Sequence, residues 1–199
     1  MKAIRLIIMS IVACFSGGSL ADITIPPKFK KIIGDYRKNL VRVSGLESSP
    51  LHWGHGIVIY CNSKAVKTYR HNHFEYVKEF EMDEDDDEEE EIKIAYKPYA
   101  VGTIFVKEQF VLPGEHNLAS SGIPKKPASI IVMIKEKPGY DPKGGDWQYL
   151  YFLSDGNIIT QGKGTVQSVK TLCFDCHNNV KGRDFIFSRI IRHKQPQLK

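Results

Sequence analysis

Apolar residues recur at helical spacing near the start of the chain and at alternate positions through its middle, and the two periods together predict an α+β domain. Behind Pro26 and Pro27, the residues Phe29, Ile32, Ile33, Tyr36 and Leu40 share one face of a helix from about Lys28 to Val41, a stripe suited to a core. A strand GIVIYC follows at Gly56 to Cys61, then a short helical stretch from Ser63 to Tyr69. Three more strand candidates are Thr103 to Leu112, Ser129 to Glu136 and Trp147 to Leu153. The turn Ser154-Asp155-Gly156-Asn157 joins the last of them to Ile158 to Gln161, a hairpin. Val166 to Asn178 reads as a helix, and Arg183 to His193 as a terminal helix with Phe187, Ile190 and Ile191 inward. No internal repeat is visible.

The first 21 residues have a different logic. Met1 to Arg5 is short and basic, Leu6 to Phe15 is apolar, and Ser19-Leu20-Ala21 fits a small-x-small cleavage site. Residues 1–21 therefore read as a signal peptide, and 22–199 as a single domain exported to the periplasm or an equivalent compartment. Ile11-Val12-Ala13-Cys14 is a competing cut that resembles a bacterial lipobox and would leave Cys14 lipidated. No other segment approaches the roughly 18 apolar residues of a membrane span.

Charge is unevenly spread. Of 23 acidic residues, 11 lie in the run EFEMDEDDDEEEE from Glu79 to Glu91. Such a block repels itself, so residues 79–92 read as a solvated acidic loop or as an element that docks on a basic surface of this chain or of a partner. The remaining Lys and Arg are scattered, and no nucleic-acid partner is expected.

Near the carboxyl end, Cys173-Phe174-Asp175-Cys176-His177 spells C-x-x-C-H. Two thiols at this spacing can add to the two vinyl groups of a haem, and the following imidazole can bind the iron as proximal ligand. On a helix these three side chains share one face. A zinc site would need further Cys or His ligands at close spacing, and a thioredoxin-like C-x-x-C has no use for the trailing His. The expectation is one covalent haem c, held by Cys173 and Cys176, with iron on His177. Only 22 residues follow His177 and none is Met, unlike a small electron-transfer cytochrome; the strand content excludes a four-helix haem bundle.

The PPKFKKI helix, IVIYCNSKAVKTYR, GTIFVKE, IKEKPGYDPKGGDWQY and CFDCHNNVKGRDFIF, with Asp184 and Phe187, resemble the cytochrome P460 and cytochrome c′-beta family of mono-haem proteins. The resemblance implies a mostly antiparallel sheet flanked by helices, a dimer formed through the sheet, and a haem whose face away from His177 lies in a mostly apolar pocket. The long acidic loop has no counterpart in that pattern. In P460 proteins proper a lysine is bonded to the haem edge and hydroxylamine is oxidised; Lys107 in GTIFVKE matches that lysine. The alternative for Lys107 is a strand lysine paired with a carboxylate or a haem propionate. Glu108 shares its period-2 register with Ile104, Val106 and Phe110, as a proton-transfer group or as the partner of a basic residue.

Cys61 opens another course. Alternation puts Ile57, Ile59 and Cys61 on one side of their strand, and a thiol delivered to the distal face would ligate iron as thiolate, giving a low-spin haem of low potential. This would resemble the His/Cys-ligated heterodimeric cytochromes of anaerobic ammonium-oxidising bacteria. The alternative is an inert buried Cys. His52, His55, His71 and His73 read as ordinary polar residues of which one could enter the distal pocket, and Met133 as core filling rather than a thioether ligand.

Two function classes remain. One is a haem protein that binds a diatomic gas, NO or CO, or passes one electron to a redox partner protein. The other is an oxidoreductase acting on hydroxylamine or a related small nitrogen compound, with Lys107 and Glu108 as catalytic candidates. Homodimer and heterodimer both fit.

Overall fold

The computed structural model describes residues 23–49, 52, 54–82, 93–112, 126–189 and 191. The expected signal segment with Cys14, residues 83–92 of the acidic run, and Ile190 with 192–199 lie outside the described residues.

Among the described residues seven strands form one antiparallel sheet: β1 (Val41–Arg42), β2 (Glu47–Ser49), β3 (His55–Cys61), β4 (Ile104–Phe110), β5 (Ser129–Lys135), β6 (Trp147–Leu153) and β7 (Ile158–Lys163). Their order is β1-β3-β4-β5-β6-β7, with β2 also paired to β3. The alternation seen in the sequence sets the register, because a slip of one residue would exchange the two faces. Cys61, Phe105, Met133 and Tyr149 form one row across β3 to β6, and Ile59, Lys107, Ile131 and Tyr151 the next. The intervening rows, such as Val58, Glu108, Ile130 and Phe152, point to the other side.

Each face carries its own core. The first, which contains Cys61, Tyr69, Phe105, Met133, Trp147, Tyr149, Cys173 and Phe185, lies under the long helix α3 (Ser63–Met82) and the carboxyl-terminal helical run. The second packs Phe29, Ile33 and Tyr36 against Val58, Val106, Phe110, Ile130 and Phe152.

Three expected helices differ from what is observed. The stretch from Lys28 is not continuous to Val41: it is a 3-10 turn, Pro27–Phe29, then α1 (Lys30–Ile33) and α2 (Tyr36–Asn39), broken where Gly34 and Asp35, both weak helix formers, interrupt the hydrogen bonding. Ile32 is consequently 43% exposed rather than in the core. The helix expected to stop at Tyr69 runs on to Met82. Its second half buries polar residues that bond the backbone of segment 93–99. Asn72 donates to the Lys97 carbonyl (2.9 Å) and accepts from the Lys97 N–H (2.9 Å), and Glu75 accepts from the Ala95 N–H (2.9 Å). Glu79, the first residue of the acidic run, is part of this helix; it accepts from Tyr96 and pairs with Arg183 at 2.8 Å. Finally, 183–189 is not helical beyond the short turn Lys181–Arg183, because Asp184, Phe185 and Ser188 take left-handed φ values of 51°, 64° and 49°.

Candidate haem site

The C-x-x-C-H residues lie on a helical run made of Gln167–Val169, a π-helical stretch Lys170–Phe174 and Asp175–Asn178. A π stretch widens the helix by one residue per turn and recurs at functional sites. Cys173 is buried in the first core, Cys176 is half-buried, and both thiols are free.

His177 is held from three sides. Its Nδ1–H donates to the Phe185 carbonyl at 2.6 Å, and its ring meets Tyr149 and Phe187 edge-on, with centroids 5.8 and 5.5 Å away. Burial, then the Lys107 charge, push its pKa down to about 4, against the pull of the Phe185 carbonyl. At neutral pH the imidazole is uncharged, with its proton on Nδ1, so the Nε2 lone pair is the one left for a metal.

The acceptor is itself built into the fold. Asp184 accepts from Lys135 Nζ (2.5 Å) and from the Tyr99 N–H (2.7 Å), and its carbonyl accepts from Trp147 Nε1 (3.0 Å). The Phe185 N–H closes onto the Val180 carbonyl at 3.1 Å. The turn between β5 and β6 backs this tail: Asp141 accepts from the Gly164 N–H at 2.7 Å, and Gly145, at φ 64°, lies where a Cβ would stand 2.4 Å from the Phe185 ring. Gly144 and Gly145 thus let backbone pass close to the rings of Phe174 and Phe185.

Beside His177 is a cavity of about 410 Å³, inside the range of small-ligand and cofactor sites. Ile57, Ile59, Phe105, Ile131 and Met133 of the sheet form its apolar floor, and Ile186, Phe187 and Tyr69 add further apolar wall. Lys107 enters from β4, Ser49 from the end of β2, and His52 from the β2–β3 connection. Burial lowers the Lys107 pKa to about 8, and Lys107 and His177 line the same cavity. His52 is pushed far below the ordinary imidazole range, chiefly by burial and then by Lys107, and is neutral. His177 lines the cavity whereas Cys173 and Cys176 do not, and two free thiols on the same helical run as an imidazole with an available Nε2 beside an apolar cavity fit the donor set of a thioether-linked haem.

The remaining sequence candidates are distributed as follows. Glu108 faces away from the cavity, in the second core, where Tyr36 Oη and Arg37 Nε donate to its Oε1 at 2.6 and 2.5 Å. It is therefore the partner of a basic residue, not a group aimed at the cavity. Cys61 shares the cavity's face of the sheet but is fully buried among Ala65, Tyr69 and Phe105 and is not part of the lining; burial pushes its thiol up to about 12. Met133 lines the cavity from the sheet. His73 donates to the Ser188 carbonyl (2.9 Å), while His71 bonds the Ala95 carbonyl (2.8 Å).

The family model for cytochrome P460 matches residues 33–188. The chain belongs to the cytochrome P460 family. The match runs from α1 through Ser188 and so takes in both the C-x-x-C-H motif and the tail that orients its histidine. Membership carries haem binding and a c-type cytochrome character with it, and the mostly antiparallel sheet agrees with that fold. Among curated proteins no relative matches the chain. No helix among the described residues is long and apolar enough to cross a membrane.

Of the four histidines from which one could enter the distal pocket, His52 is the one in the cavity lining, and its pairing with Lys107 carries no local signal because only the fold brings the two together; the Phe185 carbonyl has no such forerunner. The Phe185 carbonyl could have been sought through Asp184 in GRDFIF, whose three bonds fix it.

Proposed function

We propose that this cytochrome P460 family member is an exported mono-haem c-type cytochrome that binds a small diatomic ligand, NO or CO, at an open iron position and exchanges one electron with a partner protein. Cys173 and Cys176 hold the porphyrin through thioethers, and His177 is the proximal ligand. The observation that carries the reading is the His177 bond to the Phe185 carbonyl, which leaves Nε2 as the metal-binding nitrogen beside an apolar cavity. When bound, the haem supplies a redox-active iron and a coordination position for the gas. The chain's residues orient the imidazole, give the cavity an apolar floor through Ile57, Ile59, Ile131 and Met133, and place one amine, Lys107, inside it.

Cys61 is better accounted for as a core thiol than as the distal ligand, because it is fully buried in the packed core and, unlike Cys173 and Cys176, stands outside the C-x-x-C-H pattern. A dimer, of like or unlike chains, belongs to the same reading. The second reading, hydroxylamine oxidation with Lys107 bonded to the haem edge, draws support from the amine's place in the same cavity as His177 and from its lowered pKa, which leaves more of it neutral and nucleophilic than an ordinary lysine.

The absorption spectrum of the haem-loaded protein tests both. An open site gives a high-spin ferric spectrum that Cys61→Ala leaves unchanged; a low-spin ferric spectrum lost in Cys61→Ala would overturn the proposal in favour of thiolate ligation. A red-shifted ferrous band that disappears in Lys107→Met would favour the cross-linked enzyme.

A further inference from the structure

The cavity has one polar corner. Lys107 Nζ is hydrogen-bonded to His52 Nε2, and His52 Nδ1 is paired with Ser49 Oγ at 2.7 Å. All three residues line the cavity. With the imidazole neutral, the roles are set: the Lys107 amine donates to Nε2, and the Nδ1–H donates to the Ser49 hydroxyl. The ring is fixed from the backbone as well, since His55 Nδ1 donates to the His52 carbonyl (2.8 Å) and the Gly54 N–H closes the loop onto the Ser49 carbonyl (3.1 Å). Among the described residues no carboxylate pairs with Lys107. A lysine side chain has four rotatable bonds, so an amine without a fixed acceptor would sweep the cavity or leave it.

We propose that His52 is a positioning residue: it accepts from Lys107 and so holds the amine at one point in the cavity, where the remaining N–H bonds are offered to a small ligand that can accept a hydrogen bond. Ser49 acts behind it by fixing the tautomer and ring plane. The arrangement favours ligands with an exposed lone pair or a partial negative charge on their outer atom, such as iron-bound NO, over purely apolar occupants. The inference rests on the preceding reading that the cavity receives the ligand, and it adds which residue sets the ligand's polar contact.

The test uses the haem-loaded full chain and its ferrous CO complex, with the C–O stretching frequency and the NO dissociation rate as readouts. Lys107→Met removes the donor, and the C–O band moves to higher frequency. His52→Ala leaves the lysine in place but unheld; the band broadens and moves in the same direction, and NO leaves about tenfold faster, the effect of losing one ordinary hydrogen bond. His52→Gln, which keeps an acceptor, restores most of the wild-type band, and Ser49→Ala gives a smaller shift of the same sign. Soret intensity and thermal midpoint establish that each variant is folded and loaded. A shift in Lys107→Met with none in His52→Ala overturns the positioning role while leaving the cavity reading intact. No shift in Lys107→Met shows that the amine does not meet the ligand, and overturns both the inference and the placement of the ligand beside Lys107.

Discussion

Adjacent residues on β4 are expected to have opposite phenotypes, and Glu108→Gln is the more demanding of the pair. The Glu108 carboxylate is 2% exposed; its Oε1 takes hydrogen bonds from Tyr36 and Arg37, and Tyr60 Oη donates to Oε2 at 3.4 Å. Burial, reinforced by the carboxylate, raises the Tyr36 phenol's pKa, so the phenol remains a donor. Glutamine preserves volume but removes the charge facing Arg37 and turns an NH₂ toward groups that are themselves donors. Breaking a fully buried pair costs about 3–5 kcal/mol. Arg37 is 33% exposed and regains water, which brings the expectation down to about 2–3 kcal/mol. For a chain of this size that is a fall in thermal midpoint of roughly 5–10 °C. Thermal and guanidinium unfolding of the haem-loaded protein, followed by circular dichroism, would measure it. The Soret band and CO affinity should be unaltered, because the side chain lies across the sheet from the cavity. A variant of normal stability with an altered haem spectrum or ligand affinity would refute the assignment of Glu108 to the second core.

Lys107→Met should stabilise the haem-free chain, and the gain should depend on pH. Folded Lys107 titrates near 8 and unfolded Lys107 near 10.5, so the folded chain binds fewer protons between those values and wild-type stability rises with pH across that window. The variant's advantage is therefore greatest below pH 8, at up to about 3 kcal/mol, and vanishes by about pH 10.5; a pH-independent difference in urea unfolding would contradict it. Asp184→Asn leaves Lys135 charged and unpaired, both side chains being only about a tenth exposed, and should lower stability by about 3 kcal/mol, read as a lower denaturant midpoint at constant m-value. Gly145→Ala forces a methyl onto the Phe185 ring at a left-handed φ, and should cost roughly 1–3 kcal/mol while shifting the haem absorption through His177, whose acceptor is the Phe185 carbonyl; loss of stability without a spectral change would show that the turn does not steer the imidazole.

The parts of this fold that were legible in the sequence are those in which side-chain chemistry and backbone period agree. GIVIYC, TIFVKEQF, SIIVMIK and WQYLYFL alternate or run apolar over strand length, and each is a strand, with Lys107 and Glu108 on opposite faces as period 2 requires. The helix after Ser63 was only half legible, because Asn72, Glu75 and Glu79 bury or bind through polar bonds to a distant segment, and a polar face looks solvated until its partners are known. The stretch from Asp184 to Arg189 is illegible for the converse reason: Phe187 fits a helical stripe, but Asp184, Phe185 and Ser188 are left-handed without being glycine, a conformation that leaves no mark in sequence. Within the site, C-x-x-C-H stood out locally. Alternation gives the face on which Cys61 lies but not its place relative to the cavity: Phe105 and Met133 of its own row line the cavity together with Ile59, Lys107 and Ile131 of the next, while Cys61 itself lies outside the lining.

The two cores on opposite sides of one sheet divide the labour of assembly. The side built from Phe29, Ile33, Tyr36 and the Glu108 cluster needs only polypeptide to close, whereas the other includes the thiols and the wall of the cavity. The side of Phe29, Ile33 and Tyr36 can thus hold the sheet whatever is bonded to the thiols on the opposite side. Which way each strand residue points therefore separates the part of the fold that polypeptide holds alone from the part that borders the haem site.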